Sequence, residues 1–364
     1  MALAKWYKID FHTHTPESKC FSDKSVTPEQ WLKAAKESGI NAVVVSDHNS
    51  VGWISKIEEV KSNYEDTNFK VFYGIELCVS SDFTHFLIIF DDKMSVTEIE
   101  DAVVSNLGLQ RKDWADTTVN VSEDRLKTLC TELNEKIFVI PAHFASNKGL
   151  GKSTENAIKK YQEFLCFSAI EVRNDEDARE YNNKLRNNVI NKAVLVTGSD
   201  NPSNRDENQH SIEGFGKMFT WVKLSTLSFE GLRQVFIDPE HRCINWLELQ
   251  NIGDVMADAL RDGHTESALC IALFYLKRHH ILPQLLRALA DFLRAHSTVN
   301  DDEFISAVAR TENLITFHLP DQCRDGTHTV IPRLMSVTVV VLLKVINIQN
   351  LKRQRFMFRK ALFH

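Results

Sequence analysis

Asn41-Ala42-Val43-Val44-Val45-Ser46-Asp47-His48 is the stretch on which the fold turns. Its four consecutive apolar residues, three of them β-branched, suit a strand buried on both faces, and the run ends in an acid and an imidazole. The same grammar recurs along the first 247 residues. Asp10-Phe11-His12-Thr13-His14 closes one run, Gly74-Ile75-Glu76-Leu77 lies late in another, and Pro141-Ala142-His143 and Gly198-Ser199-Asp200 end two more. Strands are predicted over 8–14, 41–48, 70–79, 85–90, 136–143, 169–174, 193–200 and 220–224. Helix signals lie between them. Thr27-Pro28-Glu29-Gln30 reads as a cap with Pro at the first helical position, Ser122-Glu123-Asp124 and Ser228-Phe229-Glu230 open two more helices, and Gly39 stops the first.

Strand–helix alternation predicts a parallel α/β barrel or a doubly wound sheet. The polar residues favour the barrel, because strand ends of a parallel barrel meet on one rim, where active sites of such folds are built. After Trp246 the texture changes. Helical periodicity without strand alternation (Leu269, Leu273, Leu276; Leu285, Leu289, Phe292) predicts a barrel over 1–247 and a small helical appendage over 248–364. Its tail, 344–364, holds six Lys/Arg and no Asp/Glu.

A content of 43% apolar and 25% charged residues excludes disorder as the general state. Net charge is −6 and the pI about 6.2, so any nucleic-acid contact would need a local patch. The seven cysteines contain no CxxC pair, which disfavours a zinc ribbon or a disulfide framework and points to a reducing compartment. The first ten residues hold no apolar leader segment, and the longest apolar run, 337–346, is half the ~20 residues of a membrane span. A soluble, cytoplasmic protein with no membrane partner is expected.

Residues two apart on a strand face the same way, so His12 and His14 project together as a two-nitrogen start for a metal site. Mixed imidazole and carboxylate donors suit Zn, Mn or Fe better than Ca or Mg. Two such cations bridged by a carboxylate can share a hydroxide and neutralise charge on a phosphoryl oxygen. Asp47 fits a residue that orients a ligand imidazole. Arg173, in Ile170-Glu171-Val172-Arg173-Asn174, ends a strand on the same rim and would clamp a substrate phosphate bidentately. Gly149-Leu150-Gly151-Lys152-Ser153-Thr154 approaches a phosphate-binding loop, but that pattern requires glycine where Ser146 stands; a loop covering the site is the better reading.

In order, His12-x-His14, Ser46-Asp47-His48, Gly74-x-Glu76, His85, Ala142-His143 and Ser199-Asp200 form a series that resembles the polymerase-and-histidinol-phosphatase (PHP) superfamily over roughly 5–245. The opening His12-Thr13-His14-Thr15-Pro16-Glu17-Ser18-Lys19-Cys20-Phe21 and the stretch 220–233 are similar to bacterial PHP modules found beside or fused to SMC-like ATPases. The resemblance implies a distorted (β/α)7 barrel holding two or three divalent ions. His12, His14, Glu76 and Asp200 would hold one, and Glu76 would bridge to a second on His85 and His143. The family's third position would fall on Cys20, His48 and Pro202. Proline has no ligating side chain, and His210 is the candidate for the missing imidazole.

The function so implied is a metal-dependent phosphoesterase, either a phosphatase or a nuclease acting on a phosphorylated substrate, nucleotides and nucleic acids included. For a nuclease, Trp53, Trp114 and 148–152 are the candidate rim residues. The alternative is a catalytically impaired metal-binding module that regulates or binds a partner, an ATPase or other protein engaged through the C-terminal region. A related amidohydrolase would need a bridging lysine at a mid-barrel strand end, and 137–143 has none.

Overall fold

The computed structural model describes residues 4–206, 208–248 and 250. The expected helical appendage and basic tail therefore lie, beyond Glu248 and Gln250, outside the described residues. Nine strands are present among the described residues: β1 (Lys5–Thr13), β2 (Ala42–Val45), β3 (Lys70–Val79), β4 (Thr84–Phe90), β5 (Ile137–Pro141), β6 (Ala169–Glu171), β7 (Val194–Val196), β8 (Thr220–Leu224) and β9 (Cys243–Asn245). All eight predicted strands form. The ninth, three residues long, has too little alternation to be read from sequence.

Seven strands make one mixed sheet in the order β5-β4-β3-β2-β1-β8-β9, and β6 and β7 form a separate parallel pair. β1, β2 and β3 are parallel, as expected, but β4 runs antiparallel to β3 and β5, and β8 antiparallel to β1 and β9. The barrel thus departs from seven parallel βα units. The physical reason at β4 is the loop: only residues 80–83 separate it from β3, too few for the crossover a parallel pair requires. The β6–β7 pair is tied to both flanks of the sheet. Ser168 N–H donates to Val139 O and Phe144 N–H to Glu171 O on the β5 side; Asp200 N–H donates to His12 O and the Thr220 hydroxyl to Thr197 O on the other. These bonds curl the layers into a half-barrel.

Among the described residues, eight α-helices connect the strands: α1 (Pro28–Glu37), α2 (Ile54–Val60), α3 (Val96–Ser105), α4 (Glu123–Leu133), α5 (Glu155–Gln162), α6 (Asp175–Arg186), α7 (Phe229–Ile237) and α8 (Pro239–Arg242). The predicted starts are real caps. Thr27 accepts from Gln30 N–H while the Gln30 side chain accepts from Thr27 N–H, and Ser122 and Ser228 accept from Arg125 N–H and Gly231 N–H. Each cap is worth ~1 kcal/mol. Gly39, φ 79°, takes the left-handed turn after α1. Thr154 is likewise the cap of α5, so 149–154 is an ordinary loop into a helix. A Cβ on Gly149 would meet the His143 carbonyl at 2.3 Å, which explains that glycine by close packing, not by phosphate binding.

The core joins Ile9, Phe11, Val44, Phe72, Leu87 and Ile140 of the sheet to Phe229, Leu232 and Val235 of α7. The Phe138 and Phe229 rings stack at 3.9 Å. No helix among the described residues is long and apolar enough to cross a membrane.

Candidate metal centre

One rim of the half-barrel gathers six imidazoles around two carboxylates. Glu76, fully buried late in β3, is the hub. Its Oε1 lies 2.5 Å from His85 Nδ1 and 3.1 Å from His143 Nε2. Its Oε2 lies 2.7 Å from His48 Nδ1, 3.3 Å from His12 Nε2 and 3.4 Å from His14 Nε2. Asp200, just past β7, sets Oδ1 3.0 Å from His14 Nε2 and 3.6 Å from His12 Nε2. The predicted convergence of His12 and His14 is close: their Nε2 atoms are 3.1 Å apart. His85 begins its strand where the others end theirs, yet β4 runs backwards, and its register against Cys78 brings its start to the pole where β3 ends. His143 and Asp200 hold φ of 31° and 54°, a left-handed backbone that costs non-glycine residues energy and that clusters at functional sites.

The outward ring nitrogens follow one pattern. His12 Nδ1 sits 3.1 Å from both oxygens of Glu171, His14 Nδ1 donates to the Ser18 hydroxyl at 3.0 Å, and His143 Nδ1 is 2.5 Å from Ser146 Oγ. His210 Nδ1 donates to the Asp200 carbonyl at 2.8 Å, and His85 Nε2 is 3.3 Å from Cys78 Sγ. Each ring is pinned from outside by one polar group while its other nitrogen faces the interior. That arrangement is characteristic of metal-ligating histidines, whose outer partner selects the tautomer and orients the ring.

Glu171, Ser18, Ser146, Cys78 and Asn201 were not expected among the site residues. Glu171 had a signal, since it is an acid ending β6, but Arg173 two residues on drew the reading. The others carry no sequence signal. Asn201, fully buried, accepts from His14 N–H at 2.6 Å and donates to the His14 and Ser211 carbonyls. Asp47, expected to orient a ligand imidazole, stands 4.0 Å from His14 and binds Thr15 and Ser18, so it reaches the His14 ring through the Ser18 hydroxyl, 2.6 Å away. Arg173 does reach the site, with Nη1 2.5 Å from Asp200 Oδ2. Pro202 and His210 face one another across an antiparallel bridge, and His210 stacks on His14 at 4.0 Å. Cys20 hydrogen-bonds to His48 and His210. Gly198 lets β7 approach this far, because a Cβ there would sit 2.5 Å from His12 Cβ and 2.9 Å from Glu171 Oε1.

Burial alone would raise the Glu76 and Asp200 carboxyls, but the surrounding imidazoles hold both well below the usual range. Burial opposes charge on His48, yet the Glu76 carboxylate lifts it to about 10. Burial prevails at His85, which falls to about 4. Burial works to raise the Cys20 thiol, while hydrogen bonds from His210 and His48 bring it down to about 6.

The residues fit divalent cations on one observation in particular. Glu76 Oε2, Asp200 Oδ1 and His48 Nδ1 are buried without a hydrogen bond among the described residues, although the nitrogens turned outward on the same rim are bonded. Buried oxygens left open towards converging ring nitrogens are costly unless a cation satisfies them. Three groups bring donors within 4.8 Å of one another: His12, His14 and Asp200; His48, Glu76 and His85; and His14, His48 and His210. His48 thus stands with Glu76 as well as with His210, a grouping the motif series did not anticipate.

No curated protein matches this chain. Among solved structures, a two-domain protein from Bacteroides vulgatus containing a predicted PHP-like metal-dependent phosphoesterase is 18% identical, with a TM-score of 0.41 over 65% of this chain and 64% of that one, under two thirds of its length. A predicted metal-dependent phosphoesterase from Bifidobacterium adolescentis is 12% identical, with a TM-score of 0.38 over 63% of this chain and 95% of that one. An amidohydrolase from Chromobacterium violaceum, with bound sulfate and no metal, is 12% identical, with a TM-score of 0.33 over 55% and 90%. From the sequence side, residues 10–185, which carry every clustered side chain named above except Gly198, Asp200, Asn201, Pro202 and His210, match the PHP domain family.

Proposed function

We propose that this chain is a metal-dependent phosphoesterase acting on small phosphomonoesters. The observation that carries the reading is the pair of unsatisfied buried carboxylate oxygens, Glu76 Oε2 and Asp200 Oδ1, facing inward-turned imidazole nitrogens. His12, His14 and Asp200 would hold one cation, and Glu76, His85 and His143, with His48 beside them, a second. Divalent ions there supply Lewis acidity towards a phosphoryl oxygen and make a water more acidic.

The protein's own groups do the rest. Glu171, Ser18 and Ser146 hold the outer nitrogens of His12, His14 and His143, so the inner nitrogens of all three are aimed at the interior. Arg173 is the cation on the more open side of the cluster, its side chain 27% exposed against 0–1% for His12, His14 and Glu76. Its guanidinium would exchange the Asp200 oxygen for a substrate phosphate oxygen once Asp200 is neutralised.

A phosphatase is favoured over a nuclease by the aromatic residues. Trp53 is 4% exposed, and the Trp114 indole donates to Leu109 O under the Arg111 guanidinium, so neither offers an open face to a base. Lys152 is paired with Glu176. The impaired-module alternative rested on Pro202, and the presence of the His210 imidazole beside His14 and His48 weakens it.

The test is turnover by the full chain loaded with Zn or Mn, comparing a generic phosphomonoester with single- and double-stranded DNA. Glu76→Gln should lower the monoester rate by orders of magnitude. If the loaded protein hydrolyses no phosphoester, the proposal is wrong.

A further inference from the structure

The start of α6 is bonded to two exits of the rim at once. Asp177, 2% exposed in the first turn of that helix, belongs to none of the three donor groups, and both its oxygens reach outside the helix. Oδ1 accepts from Ala145 N–H at 2.5 Å, in the loop that carries His143 and Ser146. Oδ2 accepts from Arg173 N–H at 2.8 Å, past the end of β6. The cap of the helix is a separate device, because the Asn174 side chain accepts from Asp177 N–H at 2.9 Å. An acid is at ease in a first turn, where the helix dipole favours negative charge. Tyr181, one turn further on, meets Phe144 edge to face with ring centroids 5.9 Å apart, so α6 holds the same loop a second time. Glu171 accepts from His143 N–H and Phe144 N–H, so three successive amides past β5 are bonded to the segment that carries Arg173.

We infer that Asp177 is a positioning residue for phosphate binding: its carboxylate fixes the backbone of Arg173 against the loop of His143, so that the guanidinium meets a phosphate oxygen from a set origin. The inference rests on the phosphoesterase reading, in which Arg173 receives the substrate phosphate. Arg173 Nη1 lies 2.5 Å from Asp200 Oδ2, so the side chain already spans from its anchored backbone to a carboxylate of the metal centre. Arginine carries much rotamer freedom, and a fixed backbone leaves less to be lost when the guanidinium engages a ligand. A first-turn acid that only capped its helix would accept from the N–H of the cap residue, as in a capping box. Here one oxygen goes to each of two rim segments, and Asn174 N–H is neither of them.

The experiment titrates inorganic phosphate calorimetrically into the full chain loaded with Mn, and reads KM and kcat for a generic phosphomonoester alongside. Asp177→Asn keeps the shape but turns one acceptor into a donor that opposes one of the two amides. It should weaken phosphate binding roughly 10–100-fold, since displacing a binding group by ~1 Å costs up to about 100-fold. KM should rise by a similar factor, while kcat and metal content stay at native levels. In an Arg173→Ala background the same substitution should have little further effect on phosphate, because the two residues act as a unit. A merely structural Asp177 would lower the melting temperature in both backgrounds and leave phosphate affinity alone. Asp177→Ser, which opposes neither amide with a second donor, is read against the same outcomes if Asp177→Asn does not fold. Native phosphate affinity in the variant overturns the inference, as does equal weakening with and without Arg173, a loss of metal that accounts for the weakening, or a native chain that binds no phosphate. Turnover that Asp177→Asn leaves untouched would sink this inference alone. Phosphate binding that depends on Arg173 and Asp177, without hydrolysis of any phosphoester, would sink only the proposed activity.

Discussion

Glu171→Gln isolates the role of the outer partners from that of the ligands. The Glu171 carboxylate is fully buried, both its oxygens stand 3.1 Å from His12 Nδ1, and Oε2 also accepts from His143 N–H at 2.7 Å. It touches two ligand residues without facing the interior of the cluster. Glutamine keeps the shape but removes the charge and turns one acceptor into a donor, which must then oppose either the ring N–H or the His143 amide. A hydrogen bond to a charged group is worth ~1.5–3 kcal/mol. Loss of an outer partner of a ligating histidine weakens metal binding by roughly 10–100-fold, or about 1.4–2.7 kcal/mol. The two figures agree, so a 10–100-fold weaker affinity is expected for the cation held by His12. Competition titration against a chromophoric chelator measures it, and urea unfolding of the chelated protein reports the stability change separately. If Glu171→Gln binds metal as tightly as the native chain while His12→Ala does not, the pinning argument is refuted.

Gly198→Ala places a methyl 2.5 Å from His12 Cβ, and should cost ~1–3 kcal/mol of stability and lower metal content together, as read by thermal melting and elemental analysis. Metal uptake should release protons: the carboxylates raise His12 well above its ordinary value and His48 to about 10, so both rings favour the proton at neutral pH and must give it up to ligate. Affinity should therefore rise with pH across the neutral range, measured by pH-stat during titration; a flat profile would contradict the assignment. A fragment ending at Leu247 should fold and take up the same metals as the full chain, because every clustered side chain falls within Met1–Leu247; circular dichroism and metal content decide it.

Eight of the nine strands among the described residues, the helix caps and the approach of His12, His14, Glu76, His143 and Asp200 were legible in the sequence, whereas His85 was named only by the motif series. Those features depend on local rules: apolar runs make strands, capping side chains sit at fixed offsets, and a polar residue at a strand exit lands on a rim whatever the details of closure. What pins each ring was not legible. Glu171 meets His12 from 159 residues away, Asn201 meets His14 from 187, and neither spacing carries a period. Ser18, Ser146 and Cys78 are ordinary residues until folding sets them against a ring nitrogen. The reversed direction of β4 and the delivery of His210 across from Pro202 likewise belong to tertiary structure, because a loop's length and a bridge between distant segments decide which strand end faces the rim. Which donor types gather is thus written in local sequence, while which nitrogen of each faces inward is decided by contacts between segments that sequence spacing does not encode.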